Sequence, residues 1–123
     1  MTNEELIHEF FRRSDAAAVD RLLELFTDDC SYSTVLLERD LSGKAELGDF
    51  FRRNLGGLSS HRERATNVIV EGDVAGSEVH LDGISSTGRE VALDSLNVWD
   101  FAGGHIRRIR VYVDTAPIAA ALA

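Results

Sequence analysis

Three glycines sixteen residues apart, Gly72, Gly88 and Gly104, constrain this chain more than any other feature. Each sits in a stretch that punctuates a turn: Glu71-Gly72-Asp73, Ser86-Thr87-Gly88 and Ala102-Gly103-Gly104. The segments between them are rich in Val, Ile, Leu, Trp and Tyr with partial period-two alternation, which is the pattern of strands folding back on one another. About 12 residues per strand at roughly 3.3 Å each gives a sheet about 40 Å long. A sheet of that length twists, so it must curl around something, and the interior glycines Gly76 and Gly83 are the expected bends.

The first half of the chain supplies what the sheet curls around. Thr2-Asn3-Glu4-Glu5 reads as a capping box that starts a helix with Leu6, Ile7, Phe10 and Phe11 on one side. Ser14 or Asp15 is the expected cap of a second helix carrying Val19, Leu22, Leu23 and Phe26, which Asp28-Asp29 ends. Residues 30–37 then read as a first strand with Tyr32 and Thr34 on one face. Ser42 is the expected cap of a third helix with Leu47, Phe50 and Phe51 as its buried stripe and Gly56-Gly57 at its end. After the last strand, Asp114 or Thr115 and Pro117 begin a short closing helix over 118–122, so Asp114 is expected to be a cap. The order predicts an α+β fold: three N-terminal helices against a long curved, mainly antiparallel sheet.

With 123 residues, a single domain over 1–123 is expected. A formal net charge of −8 speaks against nucleic acid or an anionic membrane as partner, because both require a basic surface. The acidic N-terminus lacks the character of a secretory signal and no apolar run approaches a membrane span, so a cytoplasmic location is expected. Cys30 is the one cysteine and reads as a small buried apolar side chain.

Alternation also assigns faces. Between Val91 and Phe101 the odd positions, which include Asn97 and Trp99, are the better inner set. In the last strand the odd set Arg107, Ile109, Val111 and Val113 is favoured inside. Residues 78–84 are ambiguous: simple alternation turns Val79 and Leu81 inward and leaves Glu78, His80 and Asp82 in water. His8, His61 and His105, and the run Arg62-Glu63-Arg64, read as surface.

Four short blocks bear on that ambiguity: Leu25-Phe26-Thr27-Asp28-Asp29, Leu41-Ser42-Gly43-Lys44-Ala45, Glu71-Gly72-Asp73-Val74-Ala75, and the run from Gly104 to Tyr112. Their order and spacing resemble the SnoaL-like branch of the nuclear transport factor two-like superfamily, which includes polyketide cyclases, ketosteroid isomerases, limonene epoxide hydrolase and scytalone dehydratase. The resemblance implies a cone-shaped, helix-lined half barrel with a pocket and a homodimer formed through the outer sheet face. The polarising and proton-moving positions of the isomerases fall on Phe10, Asn97 and Thr34. Those of the epoxide hydrolase fall on Asp82, His80, Val111, Tyr32 and Thr34, and the cyclases' acid/base aspartate falls near Val111. The resemblance also turns His80 and Asp82 into the pocket, leaving Val79, Leu81, Leu96 and Val98 as an outer apolar patch.

On that assignment His80 lies across from Asn97. His80, Asp82 and Tyr32 are then the expected catalytic groups, with Asn97, Trp99, Phe10, Thr34, Phe51 and Val111 as substrate contacts. No third ligand completes a metal site with His80 and Asp82, so no metal and no cofactor is expected. Two functions are in view: a cofactor-independent general acid/base enzyme of isomerase, cyclase or lyase type on a small apolar oxygenated molecule, or a non-catalytic ligand-binding or dimerisation module. Epoxide hydrolysis ranks below both. A site filled by Phe10, Phe51 and Trp99 favours the module; an open one holding His80 and Asp82 favours the enzyme.

Overall fold

The computed structural model describes residues 1–56, 58–117 and 119. Its elements run α1 (Asn3–Asp15), α2 (Val19–Leu23), β1 (Phe26–Thr34), β2 (Leu41–Ser42), α3 (Gly43–Gly56), β3 (Leu58–Glu71), β4 (Val74–Ser85), β5 (Glu90–Ala102) and β6 (His105–Val113). Three helices lie against one face of a six-stranded, curved and unclosed sheet of order β2-β1-β6-β5-β4-β3. All neighbours are antiparallel except β1 and β6, which run parallel.

α1 forms where the capping box predicts it: the Thr2 hydroxyl accepts from the Glu5 amide at 3.1 Å and the Glu5 carboxylate accepts from the Thr2 amide at 2.8 Å. Both ends of α1 are then tied to the sheet. Asn3 Nδ2 donates to the Gly72 carbonyl at 2.9 Å, and the Glu63 amide donates to Asp15 Oδ1 at 2.8 Å. Asp15 therefore closes α1 and does not open α2, whose N-cap is Ala18 without a side-chain bond. Phe26 belongs to β1 rather than to the second helix, and Asp28-Asp29 lies within β1, where pairing to β6 shifts register between Phe26 and Ser31. Asp114 Oδ1 accepts from the Ala116 amide at 3.0 Å, the capping role expected of it. The helix expected over 118–122 lies outside the described residues except Ala119.

The register irregularities of the sheet fall elsewhere than at Gly76 and Gly83. β4 and β5 pair without interruption from Val74 to Ile84, while the irregularities fall in β3, between Leu58 and Ser60 and between Ala65 and Asn67, and at Asp100/Phe101 opposite β6. The last of these also corrects the reading of β6. Ile106 is buried and Arg107 is exposed, with odd-inward order resuming at Ile109.

Register fixes which side chains share the inner face. Ala75, Trp99, Ile109 and Tyr32 form one row across β4, β5, β6 and β1; Ser77, Asn97, Val111 and Thr34 form the next. Ala65, Val79, Ser95 and Val113 follow, then Glu63, Leu81 and Leu93, and last His61, Gly83 and Val91. Burial grades along these rows. The Trp99 row end is sealed, with Phe10 edge-on to Trp99 at 5.3 Å, to Phe51 at 6.0 Å and to Phe11 at 5.1 Å. Leu81, Leu93, Ser95, Val111 and Val113 remain partly exposed. The cone is thus plugged by aromatic rings at one end and open toward the Gly88 turn.

Phe10 is the hub of that plug. Phe10→Ala is expected to lower stability by about 4 kcal/mol through lost burial and a residual cavity. Urea unfolding followed by the emission of Trp99 measures it, and a loss under about 1 kcal/mol contradicts the assignment.

Candidate functional site

The hairpin between β4 and β5 decides the fate of the expected His80–Asp82 pair. The Ser85 amide donates to the Arg89 carbonyl at 2.8 Å and the Gly88 amide to the Ser85 carbonyl at 2.9 Å, so the loop is Ser86-Thr87-Gly88. Gly88 takes the left-handed conformation (φ 85°) that closes a three-residue hairpin, and the turn is centred on Thr87. His80 consequently pairs with Asp94, not with Asn97, whose partner is Ser77. Because side chains alternate, this places His80 and Asp82 on the face away from the helices. Simple alternation gave the right answer for this strand, and the family carry-over reversed it.

On that outer face His80 Nδ1 lies 2.7 Å from Asp94 Oδ1 and Nε2 lies 3.0 Å from Asp82 Oδ1. Asp94 and then Asp82 hold the imidazole above its usual pKa, and Arg64 lies 3.7 Å from Asp82. This is a surface charge cluster. Among the described residues no group of three His, Cys, Asp or Glu side chains is placed to hold a metal ion. A broad recess of about 440 Å³ opens at the same end, lined chiefly by outer-face residues such as Arg62, Asp82, Ile84 and Ala92. It also takes in His61, Gly83 and Val91, the last inner row, but none of Tyr32, Glu63 or Asn97, so it lies around the end of the sheet and does not reach the row of Asn97. The outer apolar patch changes too: Val79 is only 2% exposed in the core and Leu81 shares its face, whereas Leu96 and Val98 do point outward.

The inner face carries different chemistry. Asn97 is buried; its Oδ1 accepts from Ser95 Oγ at 3.3 Å, while its Nδ2 has no partner among the described residues. Trp99 Nε1 donates to Ser77 Oγ at 2.9 Å, so the indole is satisfied and fixed. Tyr32 rests its ring on Phe50 (5.1 Å) and Phe51 (5.6 Å), and its hydroxyl makes no hydrogen bond among the described residues. Burial, and secondarily the charge of Glu63, pushes its phenol well above the usual range, so it stays a donor at neutral pH. Thr34 is turned to the following loop, where Oγ1 accepts from the Leu36 amide at 3.5 Å. Phe10 and Phe51 belong to the plug, Val111 stands beside Asn97, and burial pushes the Cys30 thiol up, as fits an inert core residue.

Two inward groups went unrecognised in the sequence. His61 and Glu63 sit on the inner side of β3, with His61 Nε2 2.8 Å from Glu63 Oε1 and 3.6 Å from Asp15 Oδ1. The His61 side chain is 7% exposed, so it is no surface histidine. The signal was available: His61, Glu63 and Ala65 alternate with Arg62, Arg64 and Thr66, and two arginines mark the outer side.

The bond to Glu63, and then Asp15, raises the His61 pKa above its usual value despite burial. Its stabilising contribution is therefore complete below the unfolded value near 6.5 and is lost as pH rises through the raised folded value. The stability difference between the natural chain and His61→Gln is expected to be largest below pH 6 and to shrink above it. Urea titrations across pH 5–9 check this, and a difference independent of pH contradicts it.

Comparison with known proteins places this geometry. Residues 7–109 match the model of the SnoaL-like domain. The fold is similar to that of TerC co-crystallised with polyporic acid, with TM-score 0.86, 18% identity, and coverage of 98% of this chain and 97% of that one. It is similar to a hypothetical protein with a ketosteroid isomerase-like fold from Catenulispora acidiphila DSM 44928 in complex with trimethylamine, with TM-score 0.87, 16% identity and coverage of 97% and 92%. An M. tuberculosis LEH-like epoxide hydrolase gives TM-score 0.80, 18% identity and coverage of 96% and 86%. No curated protein sequence matches the chain. At such identities the structures speak for fold alone. With the family model spanning most of the sequence and the helix-covered, unclosed sheet shared with these proteins, the chain belongs to the SnoaL-like domain family, on the nuclear transport factor two-like cone fold.

Proposed function

We propose that the open half of the cone binds a small, uncharged, largely apolar molecule bearing an oxygen acceptor, and that general acid/base chemistry of isomerase, cyclase or lyase type acts on it without a cofactor. The supporting observation is the Asn97 amide: the residue is only 4% exposed and its Oδ1 is engaged by Ser95, while Nδ2, set among Val111, Trp99 and Ser95, has no protein partner among the described residues and is not sealed off, so it can donate to a molecule in the cone. Tyr32 offers a second donor, and Phe50 and Phe51 supply apolar wall. The described arginines of β3, Arg62 and Arg64, alternate away from the cone, which disfavours an anionic ligand. The relatives crystallised with polyporic acid or named as an epoxide hydrolase are consistent with small-molecule use of this fold. Epoxide hydrolysis in the family's manner relies on an inward Asp82 and gains no support. A purely binding role is the alternative, favoured by the aromatic plug that fills the closed end with Phe10, Phe51 and Trp99.

Trp99 is the one tryptophan and stands beside the proposed site, so it serves as donor for energy transfer to a neutral apolar probe, N-phenyl-1-naphthylamine. Binding of the probe, and its displacement by the neutral bicyclic ketone 2-tetralone, is expected. Asn97→Leu should weaken 2-tetralone about tenfold, the value of one hydrogen bond, and leave the probe's affinity unchanged. Absence of sensitised emission, or equal weakening of both ligands, counts against the reading.

The outer sheet face is our proposed homodimer surface. Ile69 (69% exposed), Leu96 (47%) and Tyr112 (50%) put apolar area there, interspersed with both signs of charge from Glu78, Asp100, Arg108 and Arg110, a mixture that a two-fold copy of itself complements. Leu96→Glu is expected to shift sedimentation from dimer to monomer; a natural chain that is monomeric at micromolar concentration refutes the proposal.

A further inference from the structure

We infer that self-association of this chain is proton-linked through His80: the outer face docks on a second copy while both ring nitrogens of His80 carry a proton, and releases it as the ring becomes neutral. The switch presupposes the outer-face homodimer proposed above.

Register puts the switch inside that surface. His80 is across from Asp94, and Leu96 follows Asp94 by two residues on the same outward face, so His80 and Leu96 are diagonal neighbours roughly 8 Å apart. A stable interface covers about 800 Å² on each partner, equivalent to a disc of about 16 Å radius. Centred on Leu96, a disc of that size takes in His80 and Asp94. It also reaches Asp82, whose row lies four residues, about 13 Å, beyond the row of Leu96.

The two contacts of the ring decide its protonation. Nδ1 lies 2.7 Å from Asp94 Oδ1 and Nε2 lies 3.0 Å from Asp82 Oδ1. A carboxylate accepts and cannot donate, so only the imidazolium, with an N–H on each nitrogen, satisfies both; the neutral ring turns a lone pair toward one of them. The charged groups around the ring come from three strands. Arg64 on β3 pairs with His80 and lies 3.7 Å from Asp82. On β4, Asp82 and Glu78 stand two residues to either side, with Glu78 Oε1 accepting from Asn67 Nδ2 at 3.3 Å, and Asp94 is on β5. With His80 protonated, His80 and Arg64 balance Asp82 and Asp94. Once the proton leaves, these four groups carry one net negative charge, to which Glu78 adds.

In the free chain water compensates that charge, because the Asp94 side chain is 84% exposed and that of Asp82 56%. A docked copy removes the water and brings up an identical cluster of the same sign. Association therefore favours the protonated ring, and each copy holds its proton more tightly in the dimer than alone. Asp94 and then Asp82 already hold the free imidazole above its usual value, and docking raises it further. The dimer is at full strength below the free chain's value and weakens as pH rises through the dimer's, a window above about 6.5.

The test is sedimentation velocity over a concentration series at pH 6, 7, 8 and 9 and constant ionic strength. The dissociation constant of the natural dimer is expected to rise at least tenfold from pH 6 to pH 9, with one proton per copy linked to association. His80→Gln, which cannot be protonated, is expected to flatten the profile. Asp94→Asn leaves the neutral ring a single carboxylate to donate to and removes the excess negative charge, so at pH 9 it should dimerise more tightly than the natural chain, a gain that a merely steric role for this cluster does not give. His105→Ala should keep the natural profile. If the natural dimer has the same constant at pH 6 and pH 9, or if His80→Gln keeps the tenfold change, the switch is overturned while the homodimer stands. Should His80→Gln be monomeric throughout, Asp94→Asn decides, and no gain at pH 9 overturns the switch. If the natural chain is monomeric at every pH, the homodimer reading fails and the switch falls with it.

Discussion

Trp99 has to be removed from water completely and its indole N–H given an acceptor at the same time. The fold meets both demands at one place: Ser77, its neighbour's cross-strand partner, accepts the N–H, and Phe10, Phe11 and Phe101 surround the ring. A buried indole with an unmet donor costs on the order of 1–3 kcal/mol, so the register that brings Ser77 alongside is held by more than backbone bonds. Shift β4 by one residue and Glu78 faces the core in place of Ser77. The aromatic plug and the register of the central strands therefore specify one another.

From that anchor the rest of the inner face follows. Rows nearer the turn are fixed in parity by Trp99, so Asn97, Ser95, Leu93 and Val91 look inward and Asp94 and Leu96 outward. The plug also sets how much of the cone is left open. Beyond the plug, toward the Gly88 turn, the inner side chains of β4 and β5 grade from buried to partly exposed. A polar pair such as His61 and Glu63 is tolerable in that zone because it bonds to itself and to the end of α1.

Much of the fold was legible because its signals are local. The capping box, the apolar stripe of α1, the turn glycines and the alternation of β5 each depend on a few neighbouring residues. What could not be read depends on geometry between segments. With the turn centred on Thr87, His80 faces Asp94 and not Asn97, a displacement of three residues, and because that number is odd it moves His80 from one face to the other. The bulge between Ala65 and Asn67 likewise hides that Val68 and Glu63 share a face. Short family blocks carry fold-level position well, but an error of one residue in a strand inverts every side chain. The reading of faces suffered for that reason: Tyr32, Asn97 and Trp99 look inward as expected, while His80 and Asp82 on β4 look outward and the inward charged residues, His61 and Glu63, are on β3.

The parallel pairing of β1 with β6 joins residues 26–34 to residues 105–113, about two thirds of the chain apart. As the polypeptide leaves the ribosome, β1 can gain only the two-residue β2 as a partner until the final strand arrives. Its other edge waits unpaired while α1 and α3 already expose rings that the sheet has yet to cover. Closure of so long a loop comes late and slowly, so the nascent chain is most exposed to misassociation just before β6 emerges, and loss of β6 removes the strand that seals the first half to the second.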